Sequence, residues 1–334
     1  MINFGIVGLG RIGKVHLSNL QRYCPDAQVI AACRVREKHM DFLKAHGVSL
    51  HFDTFEQMVQ DDRIQAVIIA SPTAFHYQHI QQAIASGKPI FCEKPIDLDH
   101  QKVKTVAQWV AESGIPFMVG FNRRYDPHIL ALKESILQGK IGFPRLVKIT
   151  SRDPEPPSLE FVETSGGLFL DMAIHDFDIA RYLVDDRVLE VSAKGAIFGD
   201  LPLSQFDDID TAVTTLIFEK GTMVQIDNSR YSAYGYDQRL EVFGEKGMVQ
   251  TKNILEDALV CSDASGQHRA RSQRFFTERY AQSYRNIIRH FVASLQQKSP
   301  SGISAQDGLA ALNIAMAAKQ SVKENRPIAI ESMI

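Results

Sequence analysis

Three sets of side chains in this 334-residue sequence have the types and spacing to do chemistry. The first is Pro89-Ile90-Phe91-Cys92-Glu93-Lys94-Pro95, a short apolar run that ends in an acid, a base and a proline. Ligands of an open parallel sheet gather beyond the carboxyl ends of its strands, so Lys94 is placed to face bound chemistry. A lone lysine before a proline is otherwise a solvated loop residue, and the surrounding pattern has to decide. The second set is Gly8-Leu9-Gly10-Arg11-Ile12-Gly13, directly after the apolar run Ile2 to Val7 and before helical sequence from Lys14 to Arg22. Gly8 permits a tight turn, Gly10 lets backbone approach a pyrophosphate, and Gly13 allows helix to pack close on strand. The third set is Asp171, His175, Asp178 and Tyr182, which share one narrow face at helical pitch, with Leu168, Met172, Ile174, Ile179 and Leu183 supplying apolar surface around it. By periodicity alone such a stripe is as readily a solvent-facing one. Here too little of the helix is polar for that, and an acid and a histidine four residues apart can interact directly.

These groups need elements to hold them. After the fingerprint come strand Gln28 to Cys33, helix Glu37 to His46, strand Ser49 to Phe52, helix Thr54 to Gln60 and strand Ala66 to Ala70. Helix Ala74 to Ser86, the strand into Lys94, helix Asp99 to Ser113 and strand Pro116 to Gly120 follow. Strands alternating with helices imply right-handed crossovers and a doubly wound parallel sheet, so residues 1–121 read as a Rossmann dinucleotide-binding domain. The helix N-terminus after Gly10 offers N–H donors to phosphates. At the end of the second strand an NAD site usually presents an acid to the adenosine ribose, about 20 residues past the last glycine. This chain has Arg34 there, with Arg36 and Lys38 beyond. Guanidinium groups pair bidentately with a 2′-phosphate, so NADP is favoured, with NAD possible. Ser71, Thr73 and His76 follow the fourth strand on the same carboxyl edge, where they either line the nicotinamide ribose or cap the next helix.

From residue 122 onward the pattern changes. Helix Ile129 to Gln138 leads to alternating segments Arg145 to Arg152, Val188 to Ile197, Thr211 to Phe218, Met223 to Ser229, Arg239 to Phe243 and Met248 to Thr251. Tight turns such as Glu219-Lys220-Gly221-Thr222 argue for a large, mainly antiparallel open sheet. Residues 122–334 thus read as an α+β substrate-binding and oligomerisation domain, and the whole as an α/β chain of two domains.

The composition excludes other classes. Lys and Arg total 37 against 39 acids, a net charge of −2, which gives no electrostatic case for nucleic acid or an anionic membrane. With 45% hydrophobic residues the chain can build sizeable cores. Cys24, Cys33, Cys92 and Cys261 lack the spacing of a zinc site or a disulfide framework, no apolar run is long enough to span a bilayer, and no signal peptide opens the chain. The expectation is a cytoplasmic enzyme with a small-molecule partner and no metal.

Taken with Glu93-Lys94-Pro95, Gly120-Phe121-Asn122-Arg123-Arg124-Tyr125 and Asp171 with His175, the fingerprint resembles that of the Gfo/Idh/MocA family of NAD(P)-dependent sugar and polyol dehydrogenases, over essentially the whole length. Thr150-Ser151-Arg152-Asp153-Pro154 and Tyr234-Gly235-Tyr236-Asp237-Gln238-Arg239 resemble its inositol 2-dehydrogenase branch. The resemblance implies a catalytic group of Lys94, Asp171 and His175, a Lys94–Pro95 bond that is cis, and Glu93 beside the cofactor. It also implies a polyol pocket lined by Asn122, Arg123, Arg152, Asp153 and either Tyr234 or Tyr236, and assembly as a homodimer or homotetramer. Arg34 departs from the acid that NAD-using inositol dehydrogenases carry.

The chemistry asks for the same set. Oxidising a ring carbinol delivers hydride to the nicotinamide and a proton to the protein. His175, of an unperturbed pKa near ~6.5, suits acid–base work, Asp171 can orient it, and Lys94 can position the hydroxyl and stabilise the developing alkoxide. Myo-inositol or a stereoisomer is the expected substrate. The alternatives are a pyranose sugar dehydrogenase, or a non-catalytic nucleotide-dependent sugar sensor on the same scaffold, which would have no use for the acid–base group.

Overall fold

The computed structural model describes residues 1–333. The chain divides into two compact units, one of Met1–Tyr125 with Ser283–Leu312 and one of Asp126–Gln282 with Asn313–Ile334.

The first unit is built on six parallel strands: β1 (Ile2–Val7), β2 (Ala27–Cys33), β3 (Leu50–Phe52), β4 (Ala66–Ile69), β5 (Ile90–Cys92) and β6 (Phe117–Val119). Their order, β3-β2-β1-β4-β5-β6, is that of the doubly wound fold. β4, β5 and β6 are buried at every position. Strands covered on both faces must be continuously apolar, which is why these segments lack alternation. The helices start where the sequence provides caps. Thr54 and Gln57 form a reciprocal capping box ahead of Phe55–Gln60, and Asp99 accepts from Gln101 N and Lys102 N at the head of His100–Ser113. Two expected helices open with a turn of 3₁₀ geometry, Glu37–His39 and Thr73–Phe75.

The sequence reading placed Ser283–Leu312 with the second half, whereas these residues pack on the first unit. Phe291 stands edge-on to Phe4 and Phe91, with ring centroids 6.2 Å and 5.7 Å away, and Val119 N–H donates to Ile303 O at 3.0 Å. Asn122 Nδ2 donates to Ser283 Oγ at 2.7 Å. One amphipathic face of helix Ala281–Gln297, carrying Tyr284, Ile287, Ile288 and Phe291, supplies the missing cover.

The second unit is a seven-stranded sheet of β7 (Pro144–Arg152), β8 (Val188–Ala196), β9 (Thr211–Phe218), β10 (Met223–Ser229), β11 (Asp237–Gly244), β12 (Met248–Gln250) and, after the small hairpin β13 (Val260–Asp263) and β14 (Gly266–Arg269), β15 (Ile328–Ala329). The order is β12-β11-β7-β10-β9-β8-β15. Every pairing is antiparallel except β7 with β10, which is parallel at the sheet centre. Buried and exposed residues alternate along β9 and β10, so one face is covered and the other open. Helix Ile174–Val184 lies on the covered face, where Asn228 Nδ2 donates to Asp176 Oδ2 at 2.8 Å.

Candidate active site

The first unit supplies a cradle for a dinucleotide. Gly8 has φ +93°, and a side chain there would overlap the backbone of Ala70, while one on Gly13 would overlap Gly8 O. Glycine is required at both by close packing of strand, turn and helix. Gly10 differs: nothing lies within 4 Å of its would-be Cβ, so backbone is open to a ligand there. Gly10 also caps helix Arg11–Tyr23 with no side-chain hydrogen bond, and no acid sits in the first turn. The first N–H groups therefore remain available to an anion. Arg11 is exposed and Ile12 half-buried beside this opening. The residues fit a pyrophosphate.

At the end of β2, Arg34 is exposed and adopts φ +50°, with its N–H donating to Phe52 O at 3.0 Å. Its guanidinium lies 5.7 Å from the centre of the Phe75 ring. Arg36 is also exposed. The hydroxyls of the fourth-strand loop cap nothing: neither the Thr73–Phe75 turn nor helix His76–Ala85 has a side-chain cap bond. Ser71 Oγ instead meets His79 Nδ1 at 3.1 Å, and Thr73 is half-buried. His76, expected at the nicotinamide ribose, is only 1% exposed, with Nδ1 2.8 Å from Pro95 O and Nε2 2.7 Å from Ser71 O. Both ring nitrogens face backbone carbonyls, of which the single N–H of a neutral ring can serve one, so the buried His76 packs between the two loops. Burial pushes its pKa down against the opposing pull of the Pro95 and Ser71 carbonyls. Burial, then the neighbouring His76 and Arg34, bring His79 down to about 4.

Lys94 sits half-buried on the turn that leaves β5, and the Lys94–Pro95 bond is cis. Glu93 does not point outward as a cofactor ligand would. It is buried, its Oε1 2.6 Å from His16 Nε2, and its Oε2 accepts from Lys94 N at 3.2 Å. The carboxyl group presses on Gly120, where an added Cβ would lie 2.9 Å from Cδ and Oε1 and 3.0 Å from Oε2.

In the second unit the expected single helix is two. Phe169–Ala173 forms a widened π turn, and the α-helix proper runs from Ile174 to Val184. Asp171 lies in the π turn and His175 in the first α turn, both half-buried. π turns of this kind occur often at functional sites because they re-aim side chains. Tyr182 is half-buried on the same helix, but Asp178, counted in the stripe, is only 1% exposed. Asp178 shares the regular α-helix with His175 and Tyr182, so what covers that part of the helix, and not the pitch, decides its burial. Behind Asp171 stands Arg230, the largest fully buried side chain of the chain, with Nη2 3.9 Å from carboxylates of both Asp171 and Asp208. Asp208 in turn accepts from Leu168 N at 2.7 Å. Gly167, with φ +86°, accommodates that carboxylate, since a Cβ would come within 2.5 Å of Asp208 Oδ1. Sequence reasoning missed Arg230. An arginine in an otherwise half-buried strand end is its only local signal.

The residues expected in a polyol pocket belong to both units. Asn122 and Arg123 are buried in the first unit, on the short helical turn Asn122–Tyr125. Arg152 and Tyr234 lie on the open face of the second unit's sheet: Arg152 Nε donates to Asp227 Oδ1 at 2.6 Å and Nη1 to Tyr234 OH at 2.8 Å, and that hydroxyl donates to Asp237 Oδ2 at 2.7 Å. This is the face opposite the helix of His175, because Asp227 and Arg152 are one residue out of phase with Asn228 and Ser151. Tyr236 precedes β11 and differs from Tyr234 in burial and contacts. It is 4% exposed, edge-on to Tyr280 at 6.3 Å, and Tyr280 OH donates to Gln238 Oε1 at 3.1 Å on the covered face. Of the two tyrosines, Tyr236 is therefore on the side of the acid–histidine helix. Asp153 shares its parity with Ser151 and donates its N–H to Ser229 O at 2.9 Å.

The pattern described as the oxidoreductase family with an NAD-binding Rossmann fold matches residues 2–121, and that of the GFO/IDH/MocA C-terminal domain matches residues 129–250. The chain belongs to the GFO/IDH/MocA oxidoreductase family. It is 39% identical over 334 residues to a myo-inositol 2-dehydrogenase of Thermotoga maritima, covering 100% of both chains, and 38% identical to an inositol 2-dehydrogenase of Rhizobium meliloti, covering 98% of this chain and 99% of that one. The crystal structure of a scyllo-inositol dehydrogenase from Lactobacillus casei with bound NAD(H) and scyllo-inositol superposes with a TM-score of 0.92 at 34% identity, over 99% of each chain. The family thus fixes the first unit as a nicotinamide-dinucleotide-binding domain of an oxidoreductase. Among the described residues no His, Cys, Asp and Glu side chains group as metal ligands, and no helix is long and apolar enough to cross a membrane.

Proposed function

We propose that this member of the family is an inositol dehydrogenase, oxidising one carbinol of myo-inositol or a stereoisomer to the ketone. The observation that carries the reading is the whole-chain likeness to an enzyme whose structure holds NAD(H) together with scyllo-inositol. The dinucleotide, when bound, supplies the hydride acceptor. The chain supplies the rest. His175 takes the hydroxyl proton on its imidazole as the C–H hydride departs, Asp171 orients that ring, and Lys94 donates to the carbinol oxygen and stabilises the charge that develops there. Arg230 faces Asp171 from behind and pairs with Asp208 as well. Tyr236, Asp153, Asn122 and Arg123 are the assigned polyol contacts. Steady-state turnover of myo- and scyllo-inositol, for wild type and Lys94→Ala, tests this directly. The variant is expected to lose turnover while binding dinucleotide as wild type does. Turnover of pyranoses but not inositols moves the substrate class, and dinucleotide binding without any turnover makes the chain a sensor.

Between the two nicotinamide cofactors we infer a preference for NADP. No acid stands at the end of β2 to accept the ribose hydroxyls, and the exposed Arg34 and Arg36 offer a 2′-phosphate cationic partners. NAD is the second reading. It draws on the NAD(H) held by the Lactobacillus casei enzyme and on Arg34 lying over Phe75, a pose suited to stacking beside an adenine. The ratio of kcat/KM for the two dinucleotides decides.

The open face of the second unit's sheet exposes Val213, Met223, Phe243 and Met248. Apolar patches of this kind are uncommon on monomers, and self-association through closed symmetry covers them, which supports a homodimer or homotetramer. A monomeric mass by light scattering at micromolar concentration would overturn this. A reducing, cytoplasmic setting accords with four free cysteines, of which Cys24, Cys33 and Cys92 are buried and inert, burial holding the first two thiols up at about 11 and about 12.

A further inference from the structure

The turn that carries Lys94 is held from within by a histidine on the pyrophosphate helix. His16 is 0% exposed, three residues past Gly13, and its Nε2 lies 2.6 Å from Glu93 Oε1. A carboxylate can only accept, so Nε2 carries the proton and donates. The other carboxylate oxygen accepts the backbone N–H of Lys94 itself. The ring is walled in by Phe91 and Tyr284, edge-on at 4.8 Å and 5.8 Å, so it has little room to turn away. On the opposite side Gly120 abuts all three carboxyl atoms, and its own N–H is fixed to Cys92 O at 2.8 Å. Glu93 thus has one seat, bounded by His16, Gly120 and the main chain of Lys94.

The geometry points to His16 as a positioning residue for Lys94, acting through Glu93. A buried carboxylate without a donor is costly, so removing the imidazole forces Glu93 either to move or to take up a proton. Either change acts on the hydrogen bond from Lys94 N–H to Glu93 Oε2, at the root of the Lys94 side chain. Reacting groups displaced by about 1 Å lose on the order of a hundredfold in rate, so a partial shift is expected to cost roughly ten- to a hundredfold. The inference rests on the role given to Lys94 above, and the experiment separates the two.

His16→Leu keeps the volume and removes the donor. His16→Gln restores a donor at the same reach. In the full-length enzyme, His16→Leu is expected to lower kcat about tenfold or more with dinucleotide affinity within about twofold of wild type, and His16→Gln to recover most of the loss. Because the effect runs through Glu93, the double variant His16→Leu with Glu93→Gln is expected to be no slower than the worse single variant. Independently of turnover, the reactivity of the Lys94 amine toward reductive methylation, followed by mass spectrometry of its peptide, is expected to change in His16→Leu and return in His16→Gln. Folded His16→Leu with wild-type kcat and wild-type Lys94 reactivity overturns the proposal. So do additive losses in the double variant. Should His16→Leu not fold, His16→Gln against Glu93→Gln carries the same comparison: wild-type Lys94 reactivity in Glu93→Gln overturns the proposal. If Lys94→Ala keeps turnover, the assignment of Lys94 fails, while the amine-reactivity measurement still tests the brace.

Discussion

Gly120→Ala is the smallest change that tests the seat of Glu93. Gly120 does not have a left-handed backbone, so alanine is conformationally allowed and the whole cost is steric. The added methyl would come within 3.0 Å of Cδ and both oxygens of Glu93, closer than real Cβ contacts allow, so the carboxylate must move as a unit. The backbone cannot yield instead, because Gly120 N–H is bonded to Cys92 O at 2.8 Å and Val119 N–H to Ile303 O at 3.0 Å. Overpacking of this size costs about 1–3 kcal/mol, and weakening a buried hydrogen bond to a charged group about 1.5–3 kcal/mol more. The two share one displacement and are not fully additive, so about 2–5 kcal/mol in total is expected, with a fall in kcat. Urea unfolding of wild type, Gly120→Ala, Glu93→Ala and the double variant measures it. In the Glu93→Ala background the methyl has space, and Gly120→Ala is expected to cost under about 1 kcal/mol. An equal cost in both backgrounds, or a single variant within about 0.5 kcal/mol of wild type with unchanged kcat, would refute the reasoning.

Other consequences can be checked separately. His175→Ala is expected to lose most activity, on the order of a hundredfold or more, and to flatten the alkaline rise of the pH–rate profile, with Asp171→Asn showing a smaller defect of the same kind; wild-type kinetics in both folded variants would make the π-turn cluster structural. Arg34→Asp is expected to shift preference toward NAD by about tenfold or more, since charge-assisted contacts contribute roughly 1.5–3 kcal/mol each. Aspartate tolerates the left-handed backbone at φ +50°, so the turn survives, and a wild type that already prefers NAD tenfold rules out the phosphate contact. His79 has a folded pKa near 4, below its ordinary 6.5, so as pH falls the unfolded chain binds the proton first. Its stability contribution is fully present above pH 6.5 and lost as pH falls toward 4, about 2 kcal/mol by pH 5. His79→Gln is expected to remove that share of the difference between denaturation at pH 8 and pH 5, and an unchanged difference disproves it.

Local chemistry made much of this protein legible in its sequence. The glycines at 8, 10 and 13 announce the dinucleotide cradle because a tight turn, an open backbone and a close helix packing each need glycine at a fixed offset. The continuous apolar runs of β4, β5 and β6 identify buried parallel strands, and the alternation in β9 and β10 a half-open sheet, for the same reason of which faces are covered. Periodicity says which residues share a face. It does not say what lies against that face, and that was decided only by tertiary structure. Arg152 and Tyr234 had the right types for a polyol pocket, yet sheet register put Arg152 on the open side, where Tyr234 bonds to it, while the neighbouring turn buries Tyr236 against Tyr280. His16 meets Glu93 across 77 residues, and Arg230 meets Asp171 and Asp208 from another strand end. No pattern in the chain marks such partners, because burial makes a charged group seek compensation wherever the fold brings one within reach, and sequence distance has no bearing on that.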